Sequence, residues 1–152
     1  PAFAELAQYG LDIHLLPGPA GQASGFKMCY AALTKGFTAL CSELLTAAEL
    51  LGVGDALAAE FAHSQAVFVE QMGRALPGMP PKARRWVGEM EEIAATFACL
   101  GLTPQILAGA ADLYRLVGET ALADRTPEEE TAPPSAREIA RALASRVQER
   151  SA

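Results

Sequence analysis

From Phe26 to Leu51 the chain carries no proline and a single glycine, Gly36. Its apolar residues there, among them Phe26, Met28, Cys29, Tyr30, Leu33, Phe37, Leu40, Leu44, Leu45, Leu50 and Leu51, fall on almost every side of a helical wheel. This run predicts one long helix of about seven turns, ended by Gly52. It constrains the fold more than any other segment, because a helix that is apolar all round has no face to give to water. Lys27, Lys35, Glu43 and Glu49 interrupt the run, and charges at that spacing exclude a membrane span. The helix is therefore expected at the centre of a helical bundle. In a chain of 152 residues a second copy is expected to cover part of it, giving a homodimer.

The rest of the chain reads almost wholly as further helices. Residues 2–9 look like the end of a helix stopped by Gly10. Leu11, Ile13 and Leu15 then alternate with Asp12 and His14, the pattern of a short strand. A lone strand cannot satisfy its own backbone, so its sheet is expected outside these residues, and 1–17 reads as the last helix and strand of another domain. A chain that opens on Pro1 rather than Met fits a piece of a longer protein. Residues 17–25 form a loop with Gly18, Gly21 and Gly25. Asp55 is expected to cap a helix running to Met72, and the prolines and glycine of 75–81 break the pattern. The next helix spans 82–100, with Trp86, Met90, Ile93, Phe97 and Leu100 at helical spacing, Trp86 as a core anchor and Gly101 as its stop. Thr103 and Pro104 open a helix to Ala123. Residues 126–135 read as a polar connector with one helical turn behind Thr126. Ser135 with Glu138 forms a capping box for a last helix, 136–149. The fold class is all-α, with a helical domain over 18–123 and a connector plus terminal helix over 124–152.

Composition limits the function classes. The formal charge is -6, and the densest basic stretch is Lys82, Arg84 and Arg85, so nucleic acid is not an expected partner. Cys29, Cys41 and Cys99 lie inside apolar helical patterns with no C-x-x-C spacing, and read as buried, reduced thiols of a cytoplasmic protein. His14 and His63 are about fifty residues apart, so no metal site is expected. His63 reads as a surface residue. No basic leader precedes the first apolar stretch.

The chemistry concentrates behind the glycine loop. Gly18-x-x-Gly21-x-Ala23-x-x-x-Lys27, continued by Met28-Cys29-Tyr30-Ala31, resembles the signature of the β-hydroxyacid dehydrogenases, G-x-x-G-x-G-x-x-x-K-x-x-x-N. Over essentially its whole length the chain is similar to the C-terminal domain of 6-phosphogluconate dehydrogenase-like enzymes, in a branch whose C-terminal domain has no assigned function. The resemblance implies a helical bundle around one long helix, preceded by a helix-strand remnant of a Rossmann domain. It implies an NAD(P)-dependent oxidoreductase acting on a hydroxy acid or related alcohol, with NAD or NADP held mainly by an N-terminal domain. It also implies that Lys27 is the catalytic acid/base and that Gly18 and Gly21 border the substrate. A base is needed because oxidising an alcohol by hydride loss also removes the hydroxyl proton, and a partly desolvated lysine suits that task.

Two departures stand out. The family's asparagine is Ala31 here, whose methyl group can hold neither the lysine nor a substrate. Positions 27, 30, 31, 34 and 38 share a helix face, so Tyr30, Thr34 and Thr38 are expected to supply the missing hydroxyls. The family's Lys-Asp pair on a later helix falls at Gly88 and Glu89, leaving Arg84 and Arg85 as alternative carboxylate holders or a solvated helix end. Lys35 reads as rotated away from Lys27 and snorkelling. These departures keep a second expectation open, a non-catalytic helical interaction module derived from the same family.

Overall fold

A computed structural model describes residues 2–125 and 132–151. Among them every regular element is helical and no strand is present, so the all-α fold class holds. A 3₁₀ segment over Ala2–Tyr9 leads in. Six α-helices follow: α1 Gln22–Leu50, α2 Gly54–Ser64, α3 Ala66–Ala75, α4 Ala83–Cys99, α5 Gln105–Gly118 and α6 Ala136–Ser151. Short 3₁₀ turns occupy Pro80–Lys82 and Ala121–Asp124.

The long helix forms as its sequence demands, but starts four residues before Phe26, because Gly21 takes a left-handed N-cap conformation at φ 100° that only glycine adopts without strain. Gly52 stops it at φ 71°, and Gly101 stops α4 in the same way at φ 81°. α1 packs along α6 and α5 and touches α4, while α4 and α5 pair as an antiparallel hairpin. Along its α6 side α1 carries Thr38, Ser42 and Thr46, all buried. Each donates its hydroxyl to the carbonyl four residues back, at 2.8, 2.8 and 2.7 Å. Their polarity is thus satisfied inside the helix, and small side chains here face a helix whose own buried face includes Ala140 and Ala144. The core centres on Leu76, Met79, Met90, Val117, Ile139, Leu143 and Tyr114, none more than 1% exposed.

Several expectations need correction. The strand at 11–15 does not form: these residues have no regular structure, and Leu11 and Leu15 are exposed, since nothing among the described residues offers a second strand to pair with. The segment before it is 3₁₀, although Gly10 ends it as expected, at φ 84°. The single helix from Asp55 to Met72 is two helices broken at Gln65, whose φ of -133° leaves the helical region. Neither proline nor glycine marks this break. Asp55 is not a cap but sits in the first turn of α2, paired with Arg137 of α6 at 2.5 Å. The helix predicted to Ala123 stops at Gly118, where Arg84 Nε donates to the Gly118 carbonyl at 2.9 Å and its other end pairs with Asp124 at 2.6 Å. Only Cys41 is a buried thiol; Cys29 and Cys99 are exposed and all three are free. Burial pushes the Cys41 thiol up to about 11.

At α5 and α6 the side chains expected to cap do bond to the helix starts, although Pro104 rather than Thr103 is the cap residue of α5. Thr103 Oγ1 accepts from the Gln105 amide at 3.3 Å at the head of α5. Ser135 and Glu138 close a reciprocal capping box on α6: the Ser135 amide and hydroxyl both donate to Glu138 Oε2 at 2.7 Å, and the Glu138 amide returns to Ser135 Oγ at 3.2 Å. The helical turn expected behind Thr126 falls on 126–131, outside the described residues. Among the described residues no helix is long and apolar enough to cross a membrane.

Within one chain α1 is not covered on all sides. Phe26, Tyr30, Leu33 and Leu40 are each more than 60% exposed. With the half-buried Phe37 and Leu44 they follow one another at intervals of four, three, four, three and four residues, a continuous apolar stripe down one side of the helix.

Candidate functional site

The glycine loop turns the chain into α1 through two positive-φ residues, Gly18 at 155° and Gly21 at 100°. The Gln22 amide donates to the Pro19 carbonyl at 3.3 Å, and the Gly25 amide to that of Gly21 at 2.9 Å, which closes the first turn. A side chain at either glycine would oppose this backbone. Lys27 follows in the second turn. It borders a hollow of about 160 Å³ between α1 and α4, whose wall includes Ser24, Ala31, Glu89, Glu92 and Ile93. Lys27 forms no ion pair among the described residues, and neither does Glu92.

Behind that hollow lies a tighter polar arrangement. Lys35 Nζ forms an ion pair with Glu89 Oε2, and Arg85 Nε holds Glu89 Oε1 at 3.3 Å from one turn back on α4. The Lys35 side chain is only 16% exposed, and its nitrogen lies 5.3 Å from the centre of the Trp86 ring. Trp86 in turn meets Tyr114 of α5 edge-on at 5.2 Å, and the Tyr114 hydroxyl donates to the Lys35 carbonyl at 2.6 Å. Burial, with Arg85 and Lys27 nearby, pulls the Lys35 amine below its ordinary value of 10.5. Burial likewise holds the Tyr114 phenol neutral well above its usual range.

The reading of Lys35 as rotated away is therefore corrected. Positions 27, 31 and 35 step by four residues, a drift of only about 40° per step on a helix, so all three turn toward α4. That spacing was the signal that would have found Lys35. Glu89 and Glu92 were missed as the α4 wall of the hollow that Lys27 borders, and their three-residue spacing on α4 carried the corresponding hint.

The expected hydroxyls lie elsewhere. Tyr30 and Thr34 border a separate hollow toward α3, with Phe37, Phe68, Gln71 and Arg74. Thr34 donates to the Tyr30 carbonyl at 3.1 Å, and Thr38 is buried and bonded to Thr34. None of the three lines the Lys27 hollow; besides Lys27, the polar residue that α1 brings to it is Ser24. Arg84 reaches the end of α5 and Asp124, and Arg85 pairs with Glu89 through Nε. His63 is exposed on α2, and Trp86 packs against the core, both as expected. Among the described residues no group of three or more His, Cys, Asp or Glu is placed to hold a metal ion.

Residues 48–117 match the model of a family described as a domain of unknown function (DUF1932), a C-terminal helical domain of NAD-binding 6-phosphogluconate dehydrogenase-like proteins. The matched span takes in the end of α1 and α2 through most of α5, including Glu89 and Glu92, and leaves the glycine loop and Lys27 outside it. No curated protein matches the chain.

Proposed function

We propose that this chain is the C-terminal domain of an NAD(P)-dependent oxidoreductase acting on a hydroxy acid or related alcohol, in which Lys27 is the general acid/base and α1 forms a homodimer face. The observation that carries the reading is the convergence of two independent parts of the chain on one hollow. The loop-lysine motif supplies Lys27 from α1, and the span that matches the dehydrogenase-associated family supplies the opposite wall from α4. In this reading the Lys27 amine takes the hydroxyl proton of the alcohol, while Gly18 and Gly21 set the direction in which α1 starts and so the placement of that amine. No strand-loop-helix with a phosphate-binding glycine pattern lies in these residues, so they do not fit the dinucleotide phosphates. NAD or NADP belongs, on this proposal, to a separate nucleotide-binding domain of the intact protein.

The exposed apolar stripe of α1 supports the dimer. An uninterrupted row of large side chains of this kind on a water-soluble helix is the mark of a contact surface.

A second reading has its own support. Ala31 sits in the hollow where the family's amide belongs, and the Thr34 and Thr38 hydroxyls are turned to backbone carbonyls. That is the state expected of a helical interaction module whose catalytic site has decayed. The test is to follow reduced nicotinamide formation by the intact protein with a panel of hydroxy acids and neutral alcohols. Turnover that Lys27→Ala abolishes supports the oxidoreductase; a folded dimer with no turnover of any alcohol overturns it in favour of the module. Calorimetry on residues 1–152 alone should show no micromolar binding of reduced NAD or NADP.

A further inference from the structure

We propose that Lys35 is a positioning residue for Lys27: by occupying Glu89 together with Arg85, it keeps that carboxylate from closing on the Lys27 amine. The inference deepens the reading of Lys27 as an acid/base and rests on it for its functional meaning. Its physical content stands on the geometry alone.

Glu89 lies between the two lysines of one helix face. It pairs with Lys35 and also borders the hollow that holds Lys27. Without Lys35, the Oε2 oxygen it leaves would turn to the nearest uncommitted cation while Arg85 keeps Oε1. Lys27 is that cation. A salt-bridged ammonium holds its proton more firmly and is a poorer nucleophile and base. The structure commits both Glu89 oxygens elsewhere, one to Lys35 and one to Arg85. Lys35 is itself fixed from three directions. The Trp86 ring faces its ammonium, Glu89 pairs with it, and the Tyr114 hydroxyl pins its backbone carbonyl. The charged groups meeting at this junction are Lys27 and Lys35 from α1 and Arg85, Glu89 and Glu92 from α4; Tyr114 is the neutral contribution of α5. Glu92 borders the same hollow without an ion pair among the described residues, so Lys27 already faces one carboxylate and the arrangement withholds the second.

The test uses the 152-residue chain and needs no substrate. Brief pulses of acetic anhydride at fixed pH, quantified at Lys27 by peptide mass spectrometry, measure how available that amine is. Lys35→Met should slow Lys27 acylation by about tenfold, the effect of one added carboxylate partner. Adding Glu89→Gln to Lys35→Met should restore the rate to within about twofold, which a merely structural loss would not do. Lys35→Arg should behave as the unchanged protein. Circular dichroism melting establishes that each variant is folded. Should Lys35→Met fail to fold, Glu89→Gln alone decides: an unchanged Lys27 rate is expected, and a severalfold rise would show that Glu89 already partners Lys27, overturning the proposal. An unslowed Lys35→Met, or a double variant as slow as the single, overturns it equally. Because acylation is independent of turnover, these outcomes are separate from the fate of the oxidoreductase reading.

Discussion

A lysine near the start of a helix is ordinarily a solvent residue, and Lys27 is itself exposed in this chain. What sets it apart is its position behind the glycine loop and opposite a wall of α4 carboxylates. In the intact protein Lys27→Ala should lower turnover by about 10²–10⁴-fold with little change in melting temperature, the usual weight of a positioned acid or base. Near-normal turnover would remove Lys27 from the mechanism. Thr34→Val should change turnover less than about twofold, within the ±0.5 kcal/mol typical of surface substitutions, because its hydroxyl serves the Tyr30 carbonyl rather than the hollow. The cysteines give an independent check on burial. A thiol reagent at pH 8 should titrate Cys29 and Cys99 rapidly and reach Cys41 only on unfolding, since Cys41 is enclosed and its thiol is held up at about 11. Three fast thiols would contradict the packing of α1. At this scale Lys27 was legible because a motif marks it. The spacing of 27, 31 and 35 put Lys35 on the same side of α1, but its pairing with Glu89 is not legible until α1 and α4 are side by side.

At the scale of the element, the helix ends were the most readable features. Gly52, Gly101, Thr103 and Ser135 act locally, through backbone conformation or a bond spanning two or three residues, so nothing distant is needed to place them. Ser135→Ala removes the hydroxyl from the α6 capping box and should cost about 1 kcal/mol in chemical denaturation. A loss below about 0.3 kcal/mol would mean the cap contributes nothing beyond water. Bonds from the Ser135 hydroxyl and amide hold the Glu138 carboxyl below its ordinary value of 4.5. A carboxyl lowered on folding stabilises the protein above its unfolded value, and that contribution is lost as pH falls through the folded one. The fall in melting temperature between pH 7 and pH 3 should therefore be smaller in Glu138→Gln than in the unchanged protein. An equal fall in both would place the acid sensitivity at Asp55 and Glu119, whose carboxyls are lowered by Arg137 and by Arg150 with Arg146. Less readable were the break at Gln65 and the early stop at Gly118. The first lacks a proline or glycine, and the second depends on Arg84 reaching across 34 residues of sequence.

For the whole molecule, the apolar stripe of α1 sets the expectation. Phe26, Tyr30, Leu33 and Leu40 are exposed in the single chain, and the stripe is continuous with the hollow between α1 and α5 that Leu33, Leu40 and Ile106 border. Sedimentation at micromolar concentration should show a dimer. Leu40→Glu, a charge in the middle of the stripe, should give a monomer or an insoluble chain. A stable monomer of the unchanged protein at high concentration would leave the stripe without a role in self-association.

The sequence by itself determined the helical class, the length of α1 and most of the stops and caps, because periodicity, glycine φ and capping bonds are local physics. Its resemblance to a dehydrogenase signature is what proposed Lys27. Only the tertiary structure decided which face of α1 stays open. It also showed that the alternating residues 11–15 form no strand within this chain, that Arg84 is a cap for α5, and that Lys35 and Glu89 stand behind Lys27. Each of these depends on which surfaces meet, and the pairing of α1 with α4, α5 and α6 is set by the combined packing of all their side chains rather than by the pattern along any one of them.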